Sequence, residues 1–570
     1  MSSFATIRVM EIVIKKLLNK KFKDQIEFDQ FLRKLTNGLK IKPPARWELI
    51  ESYKKLLKNK KIKFNLNLEK FLTKARVRTS SGVSVITVLT KPYKCPGNCI
   101  YCPSEPKMPK SYLSNEPAAQ RALRLKFDPI KQIQTRIKAL EANGHQIDKI
   151  ELLVLGGSWT AYSKKYQNNF IKKCFYATNA LSSRHPLLSS RSTAGSSRSV
   201  KSLKQEQKIN EKAKYKIIGL TLETRPDEIN LKALKQFREL GCTRAQLGIQ
   251  HIDNKILKLN KRGHKVEKSI QATKLLKENG FKVDHHYMPD LLGSTPAKDF
   301  AMMKKVFTNP NFRPDQIKLY PCVVTKYAEI YKLYKNKKYK PHTKNKLFNL
   351  LKNIKKITPY WVRINRLVRD IPADSIIAGN KITNLRQYLN VKCKCKCIRC
   401  REVGTRHAVF LSKKGAPALD GRLFIIKYRA SGGMEFFISY ESADRKILYG
   451  FLRLRFNPVK SLCDHGVKPR VPSNRDLCGA SKNNNIIFPV LKDSAIIREL
   501  HVYGQMLPVN AKLKSASQHK GLGKKLMAQA EKIAKKNNYK KIAVIAGIGV
   551  REYYRKLGYK LKNSYMIKKI

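Results

Sequence analysis

Between residues 83 and 320 the chain alternates short apolar runs with amphipathic stretches. The runs are VSVITVLT (83–90), IELLVL (150–155), KIIGLTL (216–222), RAQLGI (244–249), FKVDHHY (281–287) and QIKLY (316–320). Each has strand length and is rich in branched or aromatic residues. Helical periodicity falls between them, at 117–142, 228–240, 265–279 and 297–307. Six such alternations predict a parallel α/β sheet curled into a full or partial (β/α)6 barrel, with its chemistry on the loops after the strands. From about 406 the order changes. Strands come first (422–428, 434–440, 446–456, 495–502), followed by a helix (521–537), a strand (541–546), a short helix (549–557) and a last strand. That order predicts a separate α+β domain.

The flanks divide the rest. Residues 1–75 are basic and helical in pattern, with lysine runs such as Lys54-Lys55 and Lys58-Asn59-Lys60-Lys61 between leucines and isoleucines. A solvated helix face and an RNA-gripping region are both open readings of such runs. The barrel is expected over 76–340, a connecting segment over 341–405 and the second domain over 406–570. Residues 182–210 are rich in Ser and charge without an apolar period and read as a flexible surface insertion. The stretch 458–485, holding Cys463 and Cys478, reads as another loop.

Charge changes the picture most. Lys and Arg total 119 against 40 acidic residues, a formal +79. Codon bias toward Lys, Asn and Ile accounts for part of this excess but not for the scarcity of Asp and Glu. A polyanion, above all a nucleic acid, is the expected partner. The N-terminus is broken early by Arg8, Glu11, Lys15 and Lys16 and reads as neither a signal peptide nor a membrane span. The expected location is the cytoplasm.

Seven of the 12 cysteines lie in two tight groups, a metal-site pattern more than a disulfide framework. In KPYKCPGNCIYCPSEP, directly after the first strand, Cys95, Cys99 and Cys102 form C-x3-C-x2-C. Three thiolates hold three irons of a 4Fe-4S cluster and leave the fourth open to chelate a small molecule. This spacing is the signature of the radical S-adenosylmethionine superfamily. Later strand ends add Gly156-Gly157, where bare backbone can approach a methionyl amino group, and Glu223 and Arg225, which offer charge to its carboxylate and ribose. Gln250, His285 and His286 lie on the same rim. The second group, Cys393, Cys395, Cys397 and Cys400, suits a structural zinc. Four ligands from eight residues is cramped, so one is open to being idle or replaced by Cys322 or a His.

Near the C-terminus Gln518-His519-Lys520-Gly521-Leu522-Gly523 opens an amphipathic helix. Its glycines let backbone N–H groups converge on a pyrophosphate at the helix N-terminus. With the strand SAIIRELHV before it and KIAVIA after it, the order looks like the GNAT acetyltransferase fold. There a splayed strand pairs with pantetheine amides and a Tyr on the last helix protonates the departing thiolate.

Both heads in one chain, in this order, closely resemble the catalytic subunit of Elongator and its archaeal and bacterial single-chain relatives. The phrases VLGGSW, ETRPDE, RGHKVEKSI, MPDLLGSTPAKDF, RPDQIKLYPCVV, RELHVYG and GVREYYRKLGY carry the resemblance across roughly 30–570, apart from 182–210 and 458–485. It implies a tRNA wobble-uridine acetyltransferase. A 5′-deoxyadenosyl radical from S-adenosylmethionine would activate the methyl of acetyl-CoA for addition to carbon 5, and thioester hydrolysis would leave 5-carboxymethyluridine. By the same resemblance, acetyl-CoA contacts fall to Lys149, to Glu499, Leu500, His501 and Val502, to Leu522, Gly523 and Lys524, and to Tyr554. The tRNA would offer its anticodon loop. An electron donor is implied, and Elongator-like accessory subunits are possible but not required. Two other classes fit the motifs less well. A protein lysine acetyltransferase leaves the cysteine triad without a purpose, and a non-catalytic RNA scaffold leaves every cofactor motif without one.

Overall fold

The computed structural model describes residues 3–73, 81–182, 200–391, 393–403, 421–458, 485–503 and 521–570. The expectations for 458–485 (all but its two ends), for 183–199 of the insertion and for Gln518-His519-Lys520 lie outside these residues. Among them no helix is long and apolar enough to cross a membrane.

The N-terminal region is four helices, Ser3–Leu18, Gln25–Gly38, Arg46–Lys58 and Leu66–Leu72. They bury Val13, Ile14, Leu17, Phe28, Leu49 and Tyr53 against one another and leave their lysines outside.

The barrel sheet is parallel throughout and has seven strands, one more than the apolar runs predict. They are β1 (Ser84–Leu89), β2 (Lys149–Leu155), β3 (Lys216–Thr224), β4 (Arg244–Gln250), β5 (Lys282–Tyr287), β6 (Gln316–Leu319) and β7 (Arg363–Arg366), paired in sequence order. Because β1 and β7 do not pair, the barrel stays open. The extra strand, RINR, is short and charged and lies inside 341–405, so this segment is barrel wall more than connector. Pairing beside β6, not apolar periodicity, makes it a strand.

Two other expectations are corrected. The stretch 117–142 is two helices, Pro117–Arg124 and Pro129–Ala142, because Pro129 restarts the helix with Asp128 as its cap. Within 182–210, residues Leu203–Asn210 form a helix capped by Ser202. Its buried contacts are polar, with the Asn179 amide donating to Glu206 Oε2 at 2.7 Å. An apolar-period reading misses such an element.

The second domain is a seven-stranded sheet: β8 (Arg422–Ala430), β9 (Gly433–Glu441), β10 (Leu448–Phe456), β11 (Ala495–Val502), β12 (Lys541–Val544), β13 (Lys560–Lys562) and β14 (Tyr565–Lys569). Their order is β13-β14-β12-β11-β10-β9-β8. The helix Leu522–Lys536 packs on it through Leu526, Met527 and Ala530. β11 pairs with β12 only over Ala495–Ile497, so the strands part from Arg498 onward. The backbone of 498–502 is then open on its β12 side.

This domain docks on the N-terminal ends of the barrel strands. Arg498 on β11 donates to both oxygens of Asp315, the residue before β6, at 2.7 and 2.6 Å. Arg363 at the start of β7 donates to Tyr503 Oη at 2.8 Å. Gly547 and Gly549 press against the backbone at Ile218 and Ile217 of β3. Asp315, Glu435 and Glu499 face Lys277, Lys282, Arg453, Arg455 and Arg498 in this seam, all buried except the half-buried Glu499 and Lys282.

Candidate active site

The loop after β1 carries the cysteine triad to the C-terminal end of the barrel. Cys99 is buried beside Arg262, whose Nη1 lies 3.5 Å from Sγ. Burial pushes this thiol up, but the charge of Arg262, hydrogen bonds with Tyr101 and Arg262 and the charge of Arg225 together outweigh it and hold Cys99 below the usual thiol value. Burial and the neighbouring Cys99 raise Cys102 to about 11, so loading metal here displaces protons. Among the described residues only Cys395, Cys397 and Cys400 bring three ligand atoms within 4.8 Å of one another. The sulfurs of Cys95, Cys99 and Cys102 do not all come within that distance.

Around it the rim presents unspent polar groups. Arg225 is clamped by Asp227 at 2.8 and 3.0 Å and by the Arg262 carbonyl at 3.0 Å, which leaves Nη1 buried without a partner. A Cβ on Gly97 would land 1.9 Å from that nitrogen, so the cysteine loop needs a glycine there. Gln250, at φ 70, buries Oε1 unpartnered. Glu223 accepts from Tyr112 Oη at 2.8 Å and lies 3.5 Å from His286 Nδ1. These orphaned donors and acceptors fit a polar, zwitterionic ligand against the cluster.

One cavity of about 830 Å³ runs from this rim to the second domain. Its upper wall includes Cys95, Cys99, Cys102, Glu223 and Arg225, and its lower wall Glu499, Leu500, His501, Tyr553 and Tyr554. The middle is polar, unlike the packed aliphatic interior of a closed (β/α)8 barrel. There Arg244 pairs with Glu151 at 3.0 Å and donates to Gln316 at 2.8 Å, and Lys318 donates to Gln246 at 2.8 Å. Asn365 donates to Asp284 and Gln316, both at 2.7 Å. The signal for these residues was present as single polar positions within apolar strands: Glu151, Arg244, Gln246, Asp284, Gln316 and Lys318.

At the lower end Tyr554 is buried, and burial raises its hydroxyl far above the usual value, so it keeps its proton. Its neighbour Tyr553, absent from the sequence reading of the site, buries an unpartnered hydroxyl on the same wall. His501 lies flat against Phe451 and faces the Ser81 carbonyl at 3.2 Å, tying β11 to the approach to β1. Glu499 is held by Arg453 Nε at 2.9 Å, which leaves its backbone for a ligand.

Not every expected residue reaches the cavity. Gly156 and Gly157 are off its wall. Gly156 is required because a Cβ would meet Thr90 Oγ1 at 1.9 Å. Lys149 sits at the outer start of β2, 3.9 Å from Asp148. Val502, Leu522, Gly523 and Lys524 are also off the lining; Leu522 packs with Tyr449, and a Cβ on Gly523 would meet Tyr553 Oη at 2.7 Å. Of the second cysteine group, Cys393 is turned away to the Lys352 carbonyl at 3.5 Å. Cys322 packs with Tyr339 and Ile330 in a different cluster.

Residues 90–305 match the Radical SAM superfamily model, 314–396 the Radical SAM C-terminal domain and 512–569 the acetyltransferase (GNAT) domain. The chain is 42% identical over 514 residues to the tRNA uridine(34) acetyltransferase of Methanocaldococcus infernus, covering 88% of each. The chain belongs to the tRNA uridine(34) acetyltransferase family. The family member of Dehalococcoides mccartyi is 39% identical over 86% of this chain and 98% of its own length. Elongator complex protein 3 of Homo sapiens is 35% identical over 86% and 85%. The solved structure of Methanocaldococcus infernus Elp3 lacking residues 1–46 superposes with a TM-score of 0.68 at 38% identity, covering 86% of this chain and all of that one. As a radical SAM and GNAT protein of this family, the chain uses a 4Fe-4S cluster, S-adenosylmethionine and acetyl-CoA. The triad and the orphaned rim groups fit the first two, and the open edge of β11 fits the third.

Proposed function

We infer that the enzyme joins the methyl carbon of acetyl-CoA to carbon 5 of uridine 34 in tRNA; the C5 hydrogen leaves as a proton, the adduct gives back the one electron that started the reaction, and thioester hydrolysis then yields 5-carboxymethyluridine. The observation that carries this reading is the single cavity joining the cysteine rim to the parted strands of the second domain. Carbon 5 of a pyrimidine is no acyl acceptor, so acyl transfer by the GNAT head alone cannot make the bond. When bound, the cluster and S-adenosylmethionine supply a hydrogen-abstracting 5′-deoxyadenosyl radical. The chain's own residues do the rest. Cys95, Cys99 and Cys102 are the cluster ligands, and Glu223 and Arg225 orient S-adenosylmethionine. The backbone of Glu499, Leu500 and His501 holds the pantetheine arm with its thioester toward the barrel. Tyr554, protonated in place, donates to the CoA thiolate released on hydrolysis, with Tyr553 beside it. The lysine-rich surface of residues 1–75 supplies phosphate contacts to the tRNA outside the anticodon loop, an electron donor reduces the cluster, and accessory subunits are not required. A tRNA substrate agrees with the expected cytoplasmic location.

Full-length protein reconstituted without oxygen and given S-adenosylmethionine, acetyl-CoA, reductant and tRNA is expected to yield 5-carboxymethyluridine at position 34 by mass spectrometry of digested tRNA. A Cys99→Ser protein should yield neither this nucleoside nor 5′-deoxyadenosine. Unmodified uridine alongside acetylated protein lysines would instead make the GNAT head a lysine acetyltransferase.

We also assign a structural zinc to Cys395, Cys397 and Cys400. Cys397 is completely buried; burial raises its thiol, and hydrogen bonds from Cys395 and Cys400 reverse this to well below the usual value. Metal analysis should find zinc in the wild type and in Cys393→Ser but not in Cys397→Ser, with lower thermal stability in the last. Loss of zinc from Cys393→Ser would contradict the assignment.

A further inference from the structure

We propose that His286 and Lys318 read the uracil edge of the target nucleoside, His286 Nε2 accepting from the ring N3–H and Lys318 Nζ donating to O4. This rests on the uridine reading above and names what makes the site choose uracil over cytosine.

Where the base must lie follows from the reaction. Its carbon 5 has to meet a methyl group delivered from the second domain, and that methyl has to meet the cysteine rim. The ring therefore enters the barrel lumen, between the rim and the seam. Most polar groups in the lumen satisfy one another: Glu151 with Arg244, Asn365 with Asp284 and Gln316, Gln246 with Lys318.

His286 does not fit that pattern. It lies on the cavity wall with only 4% of its surface exposed, and its Nε2 is buried without a hydrogen-bond partner. Its other nitrogen, Nδ1, faces Glu223 Oε1 at 3.5 Å. A carboxylate there favours the proton on Nδ1, so the lone pair is on Nε2, which is buried and unspent in a residue of the cavity wall. Burial, with the positive Lys318 nearby, keeps the ring neutral.

Lys318 is the register partner of His286 across the β5–β6 ladder and lines the same cavity. Gln246 takes one hydrogen bond from its ammonium, which has three to give. An acceptor and a cationic donor thus stand side by side. That is the complement of N3–H next to O4. Cytosine presents the inverse, a bare N3 and an amino group, and would set lone pair against lone pair and donor against donor. A buried site made to bond a substrate hydrogen discriminates strongly against its absence, because the site's own groups are left unpaired.

The test uses the full-length, reconstituted enzyme and tRNAs that differ only at position 34: uridine, N3-methyluridine and cytidine. The wild type should modify N3-methyluridine and cytidine about a hundredfold less efficiently than uridine, or worse. The uridine to N3-methyluridine ratio should fall to near one in His286→Leu, whatever its absolute rate. It should be largely restored in His286→Gln, whose Oε1 can accept. A wild type that handles N3-methyluridine as well as uridine overturns the proposal, as does a His286→Leu protein that keeps the wild-type ratio. If uridine 34 itself is not converted, the activity reading fails and takes this one with it.

Discussion

A Gly547→Ala protein will lose coupled activity by about a hundredfold or more while its polypeptide is still made. The new Cβ would fall 1.9 Å from the carbonyl oxygen of Ile218 and 2.5 Å from its carbonyl carbon. Both are backbone atoms of β3, so no side-chain rotation relieves the overlap. The second domain has to lift from the barrel at this point. Overpacking a tight contact costs about 1–3 kcal/mol and more when the backbone must move. Displacing a bound group by about 1 Å is enough to cost about a hundredfold in rate. Because Gly547 also lines the shared cavity, the displacement falls between the thioester and the cysteine rim. Reduction of S-adenosylmethionine without tRNA, which needs only the barrel, should suffer much less than formation of 5-carboxymethyluridine. An equal loss of both would mean that the seam does not position the acetyl group.

The second large effect is expected at Asp315. Its carboxylate is fully buried, receives two hydrogen bonds from Arg498, and has Lys277 at 3.5 Å and Arg453 at 3.8 Å. Although burial opposes its ionisation, the charge of Arg498, and then of Lys277 and Arg453, holds it well below the usual carboxylate range. Its seam sets three carboxylates against five cations, Lys282 lying 3.9 Å from Glu499, and burial brings Lys277 down to about 8. Asp315→Ala removes the acid that faces three of those cations at once. Breaking a buried pair on one side costs about 3–5 kcal/mol, because the remaining charge is left unpaired. Thermal or denaturant unfolding of Asp315→Ala should show that loss. A combined Asp315→Leu, Arg498→Met protein should recover part of it, since Arg498 is no longer stranded while Lys277 and Arg453 still lack this partner. A single substitution costing under about 1 kcal/mol would show that the seam is held by its apolar and glycine contacts alone.

Where local pattern and fold agree, the sequence was readable. The six apolar runs became β1 to β6, and the cysteine triad lay on the loop where a barrel keeps its chemistry. The misses share a cause. β7 is RINR and the helix Leu203–Asn210 buries Glu206 and Asn210, so both are placed by hydrogen bonds to distant partners, β7 to β6 and the helix to Asn179, and not by apolar period. The polar lumen was visible residue by residue as Glu151, Arg244, Gln246 and Lys318. Only the curl of the open sheet around a shared interior gives those positions a common meaning. The docking of the second domain on the N-terminal strand ends depends on Gly547, Asp315 and Arg498, and nothing local marks them. The converse holds for Gly156: its placement after β2 suggested a ligand contact, whereas its close approach is to Thr90.

Acetyl-CoA labelled with three deuterium atoms on its methyl group tests the shared cavity most directly. The wild-type enzyme, given this substrate with S-adenosylmethionine, reductant and tRNA, should form 5′-deoxyadenosine carrying one deuterium. The 5-carboxymethyluridine should retain two on its side-chain methylene. Mass spectrometry of both products reads the result in a single reaction. Unlabelled 5′-deoxyadenosine formed alongside the modified nucleoside would contradict it, since the acetyl methyl would then never have met the cysteine rim.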